Sequence, residues 1–221
     1  MAIKPILFNT EMVRANLDGR KTCTRRKIPI DIVNNCDVET DGTLLAYENC
    51  YGDFIDPVRL CRYQPGDILY VRETFYEDVD CILYKADNEK LTGYRNMRGE
   101  DIVVKWRPSI HMPKEAARIW LRVTDVRVER LQEITEDGVW DEGFRFKPPC
   151  LTRVSADGHT CDLDGPCTSS IKYCDMTMGE LFGRELWNST IKKSDLDRYG
   201  WDANPWVWVI EFERCEKPEG V

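Results

Sequence analysis

Gly19-Arg20-Lys21-Thr22-Cys23-Thr24-Arg25-Arg26 places an amine, two hydroxyls and three guanidiniums within eight consecutive residues. Upstream, Asn9 or Thr10 can cap a helix whose apolar positions are Met12, Val13 and Leu17, and Gly19 stands where a helix C-terminus calls for positive φ. The reactive groups therefore leave a helix end on a fixed path. Beyond Gly19 the alternation of Thr22, Thr24 and Arg26 with Lys21, Cys23 and Arg25 predicts a strand. In an unbroken strand Lys21 and Thr24 point to opposite faces, so for them to cooperate the chain must turn or bulge between them. The competing reading is a solvated basic edge strand, whose lysines and arginines guard against edge pairing.

With 221 residues, 42% of them hydrophobic, the chain can bury a sizeable core; one domain over 1–221 is expected, with insertions at about 28–60 and 143–176. The short apolar run before Asn9 is far below the length of a signal-peptide core, and no stretch approaches membrane-spanning length. The expectation is a soluble, unexported, cytoplasmic protein without a membrane partner. In such a compartment ten cysteines are expected as free thiols or metal ligands, not as a disulfide framework. A net charge of −8 argues against coating of long polyanions, yet residues 14–27 carry six basic side chains against the single acid Asp18. That focus suits a small polar or anionic ligand, or one short nucleic-acid segment.

Further along, residues 28–67 read as loop-rich with short strands at Leu44–Tyr47 and Val58–Leu60. Gln64-Pro65-Gly66-Asp67 is a turn, and Ile68 to Phe75 follows as a strand with Ile68, Tyr70 and Arg72 on one face and Leu69, Val71 and Glu73 on the other. Glu73 could balance Lys21 or Arg26 in a site, or form a plain rim salt bridge. Cys81 to Ala86 reads as a strand, and residues 88–100 as a polar connection. Between Val103 and Pro113, Pro108 and Pro113 interrupt regular structure around Trp106 and His111; these either line a ligand pocket, Trp106 stacking on a base, or serve as core plug and hydrogen-bonded histidine.

Residues 118–131 predict a long strand in which Ile119, Leu121 and Val123 keep one face while Val126 and Val128 are out of phase by one residue. A bulge at Thr124-Asp125 restores both sets to the core, and bulges bend sheets toward barrels. Thr135 then caps a short helix ending at Gly143, leaving Glu142 at its negative end beside Asp141, where the protonated form is favoured; the plain alternative is an exposed glutamate. Thr177-Met178-Gly179-Glu180 is a capping box opening a helix to about Thr190 with Leu181, Phe182 and Leu186 inward. The last strand, Trp206–Arg214, buries Trp206, Trp208, Ile210 and Phe212 on one face, with Val207 and Val209 opposite.

Taken together these elements resemble the ASCH family, a branch of the PUA-like barrels: an N-terminal strand and helix, a Gly-x-Lys loop with a later Arg (Gly19, Lys21, Arg26), a Pro-Gly-Asp turn (Pro65, Gly66, Asp67) and a closing C-terminal strand. The resemblance extends to large ASCH proteins of bacteriophages through Gly66-Asp67-Ile68-Leu69-Tyr70-Val71-Arg72-Glu73 and Lys105-Trp106-Arg107-Pro108-Ser109-Ile110-His111-Met112-Pro113. It covers most of the chain outside 28–60 and the cysteine-rich stretch. It implies an α+β fold, a mixed β-barrel with short flanking helices and loop-rich insertions.

The family includes a smaller bacterial amidohydrolase that removes the acetyl group of N4-acetylcytidine with a lysine, a threonine and a glutamate. Its Gly-Arg-Lys-Thr-Ile-Thr-Ile-Arg loop and its glutamate after Leu-Thr-Glu correspond here to Lys21, Thr24 and Glu142; Arg25 departs from the pattern by replacing an apolar residue. In the implied scheme Lys21, its neutral form favoured by burial near Arg20 and Arg26, takes the Thr24 proton. Thr24 attacks the amide carbonyl, Glu142 protonates the departing amine, and a junction backbone amide holds the oxyanion. No cofactor is required. The rival is a non-catalytic module binding a nucleoside or short single-stranded RNA, with Arg20, Arg25 and Arg26 on phosphate and Trp106 on a base. Host cytoplasm is the implied location for a phage protein.

Cys150, Cys161, Cys167 and Cys174 fall in the long aperiodic stretch and are candidate ligands of a structural zinc, the alternative being ordinary reduced thiols. Metal analysis of protein purified without chelator separates the two, zinc well below one equivalent counting against the site.

Overall fold

A computed structural model describes residues 1–38, 44–48, 54–79, 81–145 and 176–220. The fold is α+β. In chain order it runs β1 (Ile3–Leu7), α1 (Thr10–Leu17), β2 (Cys23–Lys27), α2 (Ile30–Asn34), β3 (Cys36–Val38), β4 (Leu44–Glu48) and β5 (Phe54–Ile55). Next come β6 (Ile68–Arg72), β7 (Phe75–Glu77), β8 (Ile82–Tyr84), β9 (Gly93–Arg95), β10 (Asp101–Val103), β11 (Trp120–Arg130) and α3 (Glu136–Asp141). Last are α4 (Met178–Leu181), which continues through a π-helical turn (Phe182–Trp187) into α5 (Asn188–Thr190), then α6 (Leu196–Tyr199) and β12 (Trp206–Cys215). No described helix is long and apolar enough to cross a membrane.

A five-stranded mixed sheet in the order β1-β6-β11-β12-β2 carries the molecule. β1 and β6 are parallel and the other pairs antiparallel. The β11–β12 register slips between Val123 and Asp125, the bulge that the phase change predicts. Because of it Val123 and Val126 share one core with Trp206, Trp208, Ile210 and Phe212, while Val207 and Val209 serve a second core with Cys23, Leu131 and Phe182. Both faces of β12 are thus buried, as its near-continuous apolar run requires.

Several local expectations are corrected. The strand expected from Ile68 to Phe75 breaks at Glu73-Thr74, because Glu73 is drawn inward by Arg118 (2.8 and 3.0 Å), and β7 pairs with β8 instead. Val58–Leu60 lies in a 3₁₀ turn (Pro57–Leu60) begun by Asp56, whose carboxylate accepts from the Val58 N–H. The 28–60 region holds α2 and a three-stranded sheet, more structure than a loop. Likewise β9 lies inside the expected polar connection and pairs with β10.

The turn before β6 is held by its acid. Asp67, 4% exposed, accepts from the Lys4 ammonium (2.6 Å) and from the Ala2 and Gln64 N–H groups (2.8 and 3.0 Å), while Gly66, at φ 87°, donates its N–H to Val123 O. Burial alone would raise the Asp67 pKa, but Lys4 and the two N–H donors outweigh it and hold it below its ordinary value. A native pKa below the unfolded one means a contribution that is complete above the unfolded value, about 3.9, and lost as pH falls through the native one. Asp67→Asn is therefore expected to cost about 1–3 kcal/mol at neutral pH and little in strong acid. Urea unfolding at both pH values checks this; an equal deficit at both contradicts it.

Candidate functional site

The site begins where α1 ends. Asn9 caps the helix through Met12 N (2.9 Å), and at its other end Gly19 takes φ 73° so that the Arg20 and Lys21 N–H groups both return to Ala15 O. That reversal delays the start of β2 until Cys23. Lys21 itself bridges to Glu142, and Thr22 N donates to Asp141 O (2.8 Å), so the end of α3 lies alongside the loop. Thr135 caps α3 by accepting from Gly138 N (3.1 Å), and Gly143 closes it at φ 76°. A Cβ on Gly143 would come within 2.5 Å of Ala15 Cβ and 3.1 Å of Lys21 Cβ, so glycine there permits the close approach of α3 to α1.

In this frame β2 is an outer strand of the sheet. Thr24 pairs with Ile210 on the β12 side, which turns Cys23 O and Arg25 N toward the open edge. Buried polar backbone groups there need partners, and the site supplies them. Lys21 Nζ donates to Cys23 O (2.9 Å), Glu142 O (3.0 Å) and Glu142 Oε2 (2.7 Å); Glu142 Oε1 accepts the Arg25 N–H at 2.6 Å. All three ammonium protons are used, and the ion pair grips the backbone on either side of Thr24. Lys21, Thr24 and Glu142 are 3%, 1% and 3% exposed. Lys21 Nζ also lies 5.3 Å above the Phe8 ring.

Thr24 and Glu142 line one small cavity of about 20 Å³, together with Arg25 and Arg26 of the same strand and with Met12, Phe182, Leu186, Trp187 and Thr190. That is room for one water or a methyl group. A second cavity, of about 200 Å³, adjoins Glu142 on the side of Arg20, Gly143 and Phe144. The neighbouring thiol is no rival nucleophile: burial, then the charge of Glu142, pushes Cys23 up to about 12, so the thiolate is scarcely populated at neutrality.

The expected site residues separate in part: Arg20, Arg25 and Arg26 line the cavities at Glu142, whereas Glu73, Trp106 and His111 do not. Lys21, Thr24 and Glu142 come together. Arg25, expected on phosphate, points instead to the Cys23 face, 5% exposed, and reaches Glu129 (3.4 Å), Glu142 (3.5 Å) and Gly138 O (3.4 Å). Arg26 donates to Leu7 O (3.0 Å), and Arg20, at the larger cavity, is held by Asp18 (2.8 Å) and Gly143 O (3.0 Å). Glu73 balances Arg118 and not Lys21 or Arg26; the pair is bidentate, with Glu73 1% exposed. Trp106 is half-buried beside the bridge joining Arg107 to Phe75, His111 is exposed, and neither lines either cavity at Glu142. The amides that could hold an oxyanion at the junction, those of Arg20, Lys21 and Thr22, are engaged with Ala15 O and Asp141 O.

Beyond the expected site residues, Met12, Phe182, Leu186, Trp187 and Thr190 wall the smaller cavity. Their apolar helical spacing marked Met12 and Leu186 as inward-facing, without saying toward what. Cys150, Cys161, Cys167 and Cys174 lie outside the described residues; among the described residues Cys23, Cys36, Cys61, Cys81 and Cys215 are free thiols. No family model, characterised protein or solved structure matches this chain.

Breaking a buried pair on one side leaves an uncompensated charge, at a cost of about 3–5 kcal/mol, whereas replacing both partners by apolar groups of similar size costs far less. Lys21→Met and Glu142→Leu are each expected to destabilise by about that amount, and the double variant by less than the sum of the two. A double-mutant cycle in urea measures the coupling, and additive effects contradict the pairing.

Proposed function

We propose that this protein is an amidohydrolase that cleaves N4-acylated cytidine or a related acylated nucleoside through a Thr24 ester. The observation that carries the reading is the bracketing of Thr24 by one buried ion pair: Lys21 Nζ on the preceding carbonyl, Glu142 Oε1 on the following N–H, with 2.7 Å between ammonium and carboxylate. The motif resemblance to ASCH proteins names the same three residues.

The pair can act as a proton exchanger. Within the contact one proton passes from the Lys21 ammonium to Glu142, giving amine and acid. Lys21 takes the Thr24 hydroxyl proton as Oγ1 bonds the acyl carbon, and Glu142 gives its proton to the nitrogen as the C–N bond breaks, which restores the ionic pair. A water then attacks the ester and yields its proton to Glu142. Lys21 protonates Thr24 Oγ1 as that bond breaks, and the proton on Glu142 returns to Lys21. The larger cavity beside Glu142, vacated by the leaving amine, has room for this water.

The same reading takes the sheet as a PUA-like barrel. Its support is the contact across the gap between the outer strands, where Arg26 of β2 donates to Leu7 O of β1 and lies 6.0 Å from the Phe8 ring. The phosphate-binding alternative loses its main support, because Arg20, Arg25 and Arg26 are each held by protein acceptors.

Lys21→Ala, Thr24→Ala and Glu142→Gln are each expected to lower kcat/KM for N4-acetylcytidine by about 10²-fold or more. Glu142→Gln keeps an acceptor for Arg25 N, so its loss of rate separates chemistry from capping of the strand edge. Chromatography of the released cytidine is the assay. Wild-type protein that leaves acylated cytidines intact but shifts single-stranded RNA in a salt-sensitive way would replace this reading with a binding module.

A further inference from the structure

The space at Glu142 is divided by three side chains. Met12, Glu142 and Leu186 line both cavities, so they stand between the larger chamber of about 200 Å³ and the smaller one of about 20 Å³ that holds Thr24. Met12 comes from α1 and packs on the core shared by Val126 and Ile210; Leu186 comes from the π-helical turn and packs on the core of Val209 and Phe182. Both are half-buried.

The walls of the small chamber differ in how far they can yield. Trp187, 5% exposed, is fixed by its indole N–H to Tyr199 O (2.7 Å). Phe182, 2% exposed, meets Phe144 edge to face at 5.9 Å. Close-packed side chains of this kind resist displacement. Arg25, Arg26 and Thr190 complete the lining, and among its apolar walls Met12 and Leu186, half-buried at the margins of the two cores, are the ones whose size can be changed with least disturbance.

Resting on the acyl-transfer reading above, we propose that the two chambers sort the two halves of the substrate, and that Met12 and Leu186 limit the acyl group to formyl or acetyl length. The acyl substituent occupies the small chamber beside Thr24 and the amine-bearing nucleoside remains in the larger one. The scissile C–N bond then crosses the partition at Glu142, next to the group that protonates the leaving nitrogen. An acyl chain longer than acetyl has to displace Leu186 or Met12, and each extra methylene in a filled apolar site costs roughly tenfold or more in kcat/KM.

The test is kcat/KM for N4-acetyl-, N4-butyryl- and N4-benzoylcytidine in the wild type, Leu186→Ala and Met12→Ala, with circular dichroism to show that each variant is folded. The wild type is expected to favour acetyl over butyryl by well over tenfold, and Leu186→Ala to shrink that ratio at least tenfold. Met12→Ala, on a different element, gives the same reading should Leu186→Ala fail to fold. A wild type that cleaves butyryl as well as acetyl, or a ratio unchanged in the folded variants, overturns the partition and leaves the Thr24 chemistry standing. A wild type inert to all three, like Thr24→Ala, overturns the acyl-transfer reading and this inference with it.

Discussion

An ammonium and a carboxylate 2.7 Å apart, both almost wholly buried, hold the centre of this molecule. Removing two such charges from water is costly, and their attraction offsets the cost only when the remaining protons and lone pairs also find partners. Here they do. The acceptors for Lys21 are a carbonyl of β2 and both a carbonyl and a carboxylate oxygen of Glu142, while the other carboxylate oxygen takes an N–H of β2. The pair therefore closes the hydrogen bonding of an outer strand, a place where sheets are otherwise open to pairing with another chain. β2 is an outer strand but not the solvated basic one of the competing reading, since Cys23, Thr24 and Arg25 are buried; the groups that cap its edge are the groups that flank the threonine.

This double use constrains the surroundings. Glu142 reaches Lys21 only because α3 packs against the end of α1 at Gly143, where no side chain fits. Arg25 is drawn to the opposite face of β2, where Glu129, Gly138 O and Glu142 share its guanidinium. The acid at position 142 is thus gripped from both sides of the strand. The Arg25 charge is accommodated there because these acceptors face it from inside the fold.

Most of the architecture was legible where a local rule decides it. The one-residue phase slip between Val123 and Val126 located the bulge, because side chains alternate with a period of two and any slip moves a whole set to the other face. Thr135, Gly143, Asn9 and Gly19 marked helix ends through the chemistry of unsatisfied N–H and C=O groups. What failed depended on partners distant in sequence. Glu73 finds Arg118, 45 residues on, and nothing near either residue announces the other. Trp106 and His111 were read from two prolines and their own chemistry, although the segment is tied to β7 through Arg107 and Phe75. Arg25 has the charge of a phosphate contact, but its alternation with Cys23 points it inward, where it also lines the cavity beside Thr24. The wall of Phe182, Leu186 and Trp187 comes from a helix some 160 residues beyond Thr24, beyond the reach of any local pattern.

The central claim is that Thr24 carries the acyl group during turnover. Wild-type protein mixed with a limiting amount of N4-acetylcytidine, quenched in acid within one turnover and mapped by peptide mass spectrometry, tests it directly. The account expects one acetyl group on the peptide holding Thr24 and none on that peptide in Thr24→Ala. Release of cytidine at full rate from Thr24→Ala, or an acetyl group carried by another residue, would contradict it.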